Sequence, residues 1–347
     1  MRALVKNIEN MKNTVLITGG AGYIGSHCVL ELAESGIKTV IFDNLSSGRI
    51  ETVNTLQNFA DAYFCRGDLL NKSDIKKVFD EYEIDAVMHF AAYSIVPESV
   101  ENPQKYYMNN ISGTLNLIEA MLDAGVKKLV FSSTAAVYGE PEYIPIDENH
   151  PKNPLNAYGR SKFMIEQILD DCSRAYGLKS VRLRYFNAAG ADEKLRTGER
   201  HNPETHLIPN ILKSAAASSA GLKNVFQLYG DDYNTNDGSC IRDYIDVNDI
   251  AKAHLQALKY LENGGETEVF NLGSNKGVSV KEIFEACEKV TGRKIPVKIC
   301  PRRAGDPAVL IADNKKARRL IHWKPVKTFL DSIETAYKWE MKNAEYG

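Results

Sequence analysis

Residues 14–35 read TVLITGGAGYIGSHCVLELAES. Thr14–Thr18 is a short apolar, partly β-branched run, the pattern of a strand buried on both faces. It breaks into Gly19-Gly20-Ala21-Gly22-Tyr23-Ile24-Gly25, where glycines 19, 22 and 25 follow Gly-x-x-Gly-x-x-Gly. Helical periodicity then runs from Tyr23 to about Ser35. Glycine lacks Cβ, so such a turn is tight and brings backbone N–H groups close to a pyrophosphate at a helix amino terminus. A glycine-rich turn alone is weak. Here a second strand, Lys38–Asp43 (KTVIFD), follows and ends in an acid. Asp43 suits both hydroxyls of an adenosine ribose, with a strand-end cap as the alternative. Its charge would repel a 2′-phosphate, so NAD is expected rather than NADP. Asp68, in Arg66-Gly67-Asp68-Leu69, either receives the adenine amino group or is a turn aspartate.

Outward from this unit the alternation continues. Further strands are expected at Ala62–Arg66, Ala86–His89, Lys128–Ser132 and Ser180–Arg184, with helices at Ser73–Glu81, Tyr107–Ala124 and Ser161–Tyr176. Apolar strands separated by helices imply α/β architecture, a Rossmann-type doubly wound parallel sheet. After about Asn187 the rhythm breaks into segments rich in Asn, Gly, Asp and Pro. One helix is expected from Pro209 to about Ala217, ending at Gly221 rather than becoming a linker, because Ala favours helix and Gly stops it. Another is expected over Asp246–Leu261, and a mix of short elements from Ser279 onward. The expected organisation is a leader (1–12), a dinucleotide domain (13–187, with 240–261 packing back on it) and a smaller mixed α/β substrate domain (188–239 and 262–347).

The bulk properties fit an ordinary globular protein: 347 residues, 44% hydrophobic, 25% charged, net charge -2. No overall positive field favours nucleic acid. The basic run Lys315, Lys316, Arg318 and Arg319 reads as a solvated helical face. The six cysteines are scattered without a Cys-x-x-Cys pair, and the seven histidines show no ligand spacing, so no metal is expected. Free thiols and the lack of a long apolar run point to the cytoplasm, with no membrane contact.

Tyr158-Gly159-Arg160-Ser161-Lys162 places a tyrosine and a lysine one helical turn apart. A free phenol, with a pKa of about 10, is a poor base at neutral pH. An ammonium and a positive nicotinamide ring nearby would both favour phenolate. Tyr158 is therefore the expected acid/base, Lys162 its electrostatic support, and Thr134, at the end of the fifth strand in Ser132-Ser133-Thr134, the expected hydrogen-bond partner of the substrate hydroxyl.

The Gly-rich turn, the strand-five Ser/Thr and Tyr-x-x-x-Lys together resemble the short-chain dehydrogenase/reductases. TGGAGYIGSH (18–27), HFAA (89–92), NNISGTLNL (109–117), SSTAAVYG (132–139), LRYFNAAGA (183–191), DGSCIRDYIDV (237–247), NLGS (271–274) and PRRAGDPA (301–308) narrow this. In that order, from Thr14 to about Trp339, they are similar to the UDP-glucose 4-epimerases, an extended branch of that superfamily. Ala135 and Ala136 stand where sibling 4,6-dehydratases carry an Asp-Glu pair, so elimination lacks its acid.

The resemblance implies C4 epimerisation of UDP-glucose and UDP-galactose through a 4-keto sugar with tightly bound NAD. It implies cofactor contacts at Gly19, Gly22, Tyr23, Ile24, Gly25, Asp43, Asn44, Asp68, Leu69, Phe90, Ala91, Ala92, Asn109, Tyr158, Lys162 and Tyr185. Besides Thr134 and Tyr158, it implies substrate contacts at Asn187, His206, Leu207, Tyr229, Arg242, Arg303, Asp306 and Leu310. Among these, Arg242 and Arg303 look like pyrophosphate clamps, and Tyr229 an aromatic near the uracil. Leu310, smaller than the tyrosine of some members, either implies tolerance of UDP-N-acetylglucosamine or is an ordinary core leucine. The resemblance also implies a homodimer formed through helices around 107–124 and 161–176. Two departures are visible. Ser94 replaces a family lysine near the cofactor, and His206 replaces a substrate-loop asparagine. The alternatives are another NAD-dependent nucleotide-sugar epimerase or reductase, and a non-catalytic NAD sensor.

Overall fold

The computed structural model describes residues 14–219, 225–303 and 306–345. The expected leader over 1–12 and the helix stop at Gly221 lie outside them. The central sheet has seven parallel strands: β1 (Thr14–Thr18), β2 (Lys38–Asp43), β3 (Ala62–Arg66), β4 (Ala86–His89), β5 (Lys128–Thr134), β6 (Lys179–Tyr185) and β7 (Glu268–Leu272). Their spatial order is β7-β6-β5-β4-β1-β2-β3. The order reverses between β1 and β4, and the carboxyl ends of those strands open the crevice typical of doubly wound sheets.

The expected elements of the first half form where the apolar periodicity puts them. Burial explains why: Val15, Leu16, Ile17, Val40, Ile41, Val87 and Leu129 are all almost fully buried. On one face the sheet is covered by the helices α1 (Tyr23–Glu34) and α2 (Ile50–Gln57). On the other lie α3 (Lys72–Glu81), α4 (Gly113–Asp123) and α5 (Ala157–Tyr176). The last starts four residues before the expected Ser161, because Asn156 caps it by accepting from Gly159 N at 2.9 Å. Gly177, at φ +68°, ends it in the left-handed conformation.

Two expectations need correction. Glu268–Leu272, placed with the substrate domain, is a strand of the central sheet, paired along β6 with Phe270 beside Leu183. It is reached through α6 (Leu207–Ser219) and α7 (Val247–Glu262), the latter packing against α1. The region after Ser279 also holds two long helices, α8 (Val280–Thr291) and α9 (Phe329–Glu345), rather than short elements alone. Ser279 and Glu282 form a full capping box at the start of α8. Ile211, Leu212, Ile283, Ala286 and Ile333 join α6, α8 and α9 in a separate small core.

Candidate active site

The carboxyl ends of the strands open into a cleft of about 810 Å³, a size usual for small-molecule sites. At its floor β1 runs into Gly19, at φ +74°. A Cβ there would lie 2.6 Å from Ala91 N, and one on Gly25 would lie 2.3 Å from Gly19 O. Side chains are thus excluded on both sides of the turn. Helix α1 starts at Gly22 with no side-chain cap and no acid in its first turn, leaving its N–H groups for an anion. These features fit a dinucleotide pyrophosphate. At the end of β2, Asp43 Oδ2 accepts from Ala21 N at 3.0 Å and Oδ1 from Leu45 N at 2.8 Å. The capping role is therefore real, yet each oxygen retains acceptor capacity towards the cleft. Burial pushes this carboxyl up and the two backbone donors pull it back. Asp68 combines turn and cleft likewise: Oδ1 accepts from Leu70 N, and Oδ2 from Asn44 Nδ2 at 2.9 Å.

Thr134 ends β5 directly beside Tyr185 of β6. The first turn of α5 brings Tyr158 to the same edge, where the Thr134 hydroxyl is placed to favour the phenolate. One turn on, buried Lys162 donates from Nζ to Ser132 O at 2.7 Å and sits 4.7 Å from the centre of the Phe131 ring. The expectation that Lys162 pulls the phenol down is not met in the chain by itself. Burial moves the two apart: the phenol goes up, opposed by Thr134, while the ammonium falls to about 7, opposed by Glu166.

That carboxylate belongs to a network the sequence did not reveal. Glu166 accepts from Ser133 Oγ and from Arg184, both partners of the ion pair being almost wholly buried. Arg184 continues to the Tyr138 hydroxyl at 2.9 Å, and Tyr138 to Asn271 at 2.6 Å. The available signal was Glu166's position one turn beyond Lys162 on the buried face. Across the cleft, a π-helical turn at Tyr107–Ser112 carries Asn109 on the lining. Its neighbour Asn110 ties the turn to Tyr93 and to Ser161 of α5.

At the other end lie Asn187, Leu207, Tyr229, Arg242, Arg303 and Asp306. Arg242 NH2 is 3.4 Å from Asp306 Oδ1, and the Arg303 guanidinium stacks 4.0 Å from the Tyr229 ring centre. Both cations line the cleft, Arg242 also donating from NH1 to Ile241 O at 2.9 Å. Together with Lys162 they are its lysine and arginine lining among the described residues; Ser94 also lines it without a charge. Of the expected site residues, Leu310 alone is not on the lining. It pairs with Arg242 along a two-residue strand and packs against the Val137, Tyr138 and Ile146 cluster.

His206 lines the cleft within a group that sequence reading overlooked. Glu199, His201, Glu204 and His206 converge there, spaced in the chain as Glu-x-His-x-x-Glu-x-His. His201 and His206 place Nδ1 at 2.9 and 2.6 Å from Glu199 Oε1. Burial pushes the Glu199 carboxyl up, but its two imidazole hydrogen bonds outweigh that and bring it to about 2.

Comparison with known proteins agrees with this geometry. The NAD dependent epimerase/dehydratase family model matches residues 15–273. A UDP-glucose 4-epimerase of Lacticaseibacillus casei is 49% identical over 333 residues, covering 96% of this chain and 98% of its own. The crystal structure of UDP-glucose 4-epimerase from Brucella ovis in complex with NAD superposes with a TM-score of 0.88 at 44% identity, covering 94% and 98%. That from Bifidobacterium longum, in complex with NAD+ and UDP, gives 0.90 at 40% identity, covering 96% and 99%. With family model, full-length relatives and the glycine turn, strand-five threonine and Tyr-x-x-x-Lys all in agreement, the chain belongs to the NAD dependent epimerase/dehydratase family, among its UDP-glucose 4-epimerases.

Proposed function

We propose that this chain interconverts UDP-glucose and UDP-galactose by inverting C4 of the sugar. The observation that carries the reading is one continuous cleft whose lining joins the glycine turn, Tyr158, Thr134 and Lys162 with Arg242 and Arg303. The glycine turn and Asp43 would hold NAD, which would supply a reversible hydride acceptor for C4. Tyr158 takes the proton of the C4 hydroxyl, and Thr134 holds the same oxygen by a hydrogen bond. Lys162, one helical turn from Tyr158, is fixed through Ser132 O. Arg242 and Arg303 hold the diphosphate while the 4-keto sugar turns. Tyr158 then gives the proton back to the C4 oxygen. Ala135 and Ala136 follow Thr134, and with no carboxylate there the keto sugar is not steered into loss of water.

Purified protein incubated with UDP-galactose and no added NAD is expected to yield UDP-glucose. Stoichiometric release of NADH would instead identify an oxidoreductase, and a complete lack of turnover by NAD-loaded protein would sink the reading. Two further properties go with it. No helix among the described residues is long and apolar enough to cross a membrane, and six free thiols suit a reducing cytoplasm. The chain works as a homodimer: Met108, Leu115 and Met164 are exposed apolar side chains on adjoining helical segments, a face suited to a second copy.

A further inference from the structure

We propose that Glu199, His201, Glu204 and His206 bind one divalent transition-metal ion, with zinc the best match, on the wall of the cleft. All four donors come from eight consecutive residues, and one ligand atom from each lies within 4.8 Å of every other. Neighbouring ligands of tetrahedral zinc are about 3.3 Å apart when bonds are about 2.0 Å. Glu199 Oε1 to His201 Nδ1 (2.9 Å), Glu199 Oε1 to His206 Nδ1 (2.6 Å) and Glu204 Oε1 to His206 Nδ1 (3.0 Å) already span such edges. Two imidazoles and two carboxylates form a borderline donor set suited to zinc rather than to calcium or magnesium, which prefer oxygen alone.

Two observations separate this group from a self-satisfied ionic cluster. First, the Glu204 side chain is only 5% exposed, yet its Oε2 has no hydrogen-bond partner, and the nearby Lys213 Nζ stands 3.8 Å away. A buried carboxylate oxygen without a donor is costly, and a cation removes that cost. Second, one N–H at His206 Nδ1 is shared between Glu199 and Glu204, whose other donors are His201 Nδ1 and the backbone N–H groups of Thr205 and His206, with Lys213 the one lysine nearby among the described residues. A divalent ion balances both. Glu199, His201 and His206 line the cleft, which supplies an entry path. The His201 ring also lies 6.4 Å from that of Tyr23, at the glycine turn. A bound ion would therefore fasten the 199–206 loop against the cofactor end of the cleft, ahead of α6.

The site can be tested without substrate. The full-length protein with its bound NAD is stripped of metal with EDTA and titrated with Zn²⁺ against a chromophoric chelator. One zinc per chain is expected, with a rise in melting temperature. The double variant His201→Asn/Glu204→Gln is expected to weaken zinc by about 100-fold or more, since two of four ligands are lost. Should that variant misfold, Co²⁺ added to the unaltered protein gives an independent answer. Intense visible d–d bands of a four-coordinate N/O site, without thiolate charge transfer, support the proposal. Sub-stoichiometric zinc, unchanged affinity in a folded double variant, or a cobalt–thiolate spectrum would each overturn it.

Discussion

Replacing Tyr158 by phenylalanine removes a single oxygen from the cleft, and its consequences can be separated. The phenol contacts Thr134 and is raised by desolvation. Losing that one neutral hydrogen bond changes stability by about 1 kcal/mol at most. Ligand binding rests elsewhere, on Arg242 and Arg303 at the far end and on the glycine turn. Affinity for UDP should therefore stay within about threefold, and bound NAD should be retained. The proton transfer has no substitute, because Thr134 is held as a hydrogen-bond partner and Lys162 Nζ is committed to Ser132 O. General acid–base catalysis contributes about 10²–10⁴ in rate, which is about 3–5 kcal/mol of barrier. We predict that kcat for UDP-galactose falls by that factor while the Kd for UDP hardly moves. Conversion to UDP-glucose by coupled assay, beside absorbance of extracted NAD and calorimetric UDP binding, would measure all three. A Tyr158→Phe protein that is NAD-loaded and retains kcat within about threefold of the parent refutes the role given to the phenol.

Arg242→Ala should raise KM for UDP-galactose by about 10–100-fold with a smaller change in kcat, since a charge-assisted contact is worth about 1.5–3 kcal/mol; steady-state kinetics check the split. Glu166→Leu leaves Arg184 buried without its counter-charge, its side chain being 4% exposed. It should cost about 3–5 kcal/mol in urea unfolding, with Glu166→Leu/Arg184→Leu regaining more than half. Lys162 titrates in the folded chain at about 7, well below its ordinary 10.5. Below pH 7 both folded and unfolded lysine are charged, so the burial penalty is full, at most roughly 5 kcal/mol. Above it the unfolded chain binds more protons, and stability rises with pH up to the unfolded value. Lys162→Met should thus be inactive yet more stable than the parent at pH 6, with the advantage shrinking by pH 9. Equal stability at both values would contradict the assignment.

The parallel sheet was legible because each of its first six strands carries its own signal: an apolar run, a breaker, then a helical period. The seventh did not announce itself. Glu268–Leu272 is five residues long and joins β6 more than eighty residues after it, so its place depends on a pairing that local pattern does not encode. Helix α8 is a different case. Its capping box, Ser279 with Glu282, was present in the letters and precedes an amphipathic run.

The site divides in the same way, and the reason is physical. Its cofactor end is contiguous, since phosphate recognition by backbone N–H groups needs only a strand, a turn and a helix in sequence. Its substrate end gathers Asn187, His206, Tyr229, Arg242, Arg303 and Asp306 from five separate segments, and no spacing rule links them; resemblance alone named them. Charge is harder still. Tyr158 and Lys162 stand one helical turn apart in α5, but the direction of each titration depends on how much water is lost around it. In the folded chain desolvation drives phenol and ammonium towards their neutral forms, so proximity to Lys162 does not by itself make Tyr158 a base. The remaining driving force must come from positive charge brought by the ligand, which ties proton abstraction to a filled cleft.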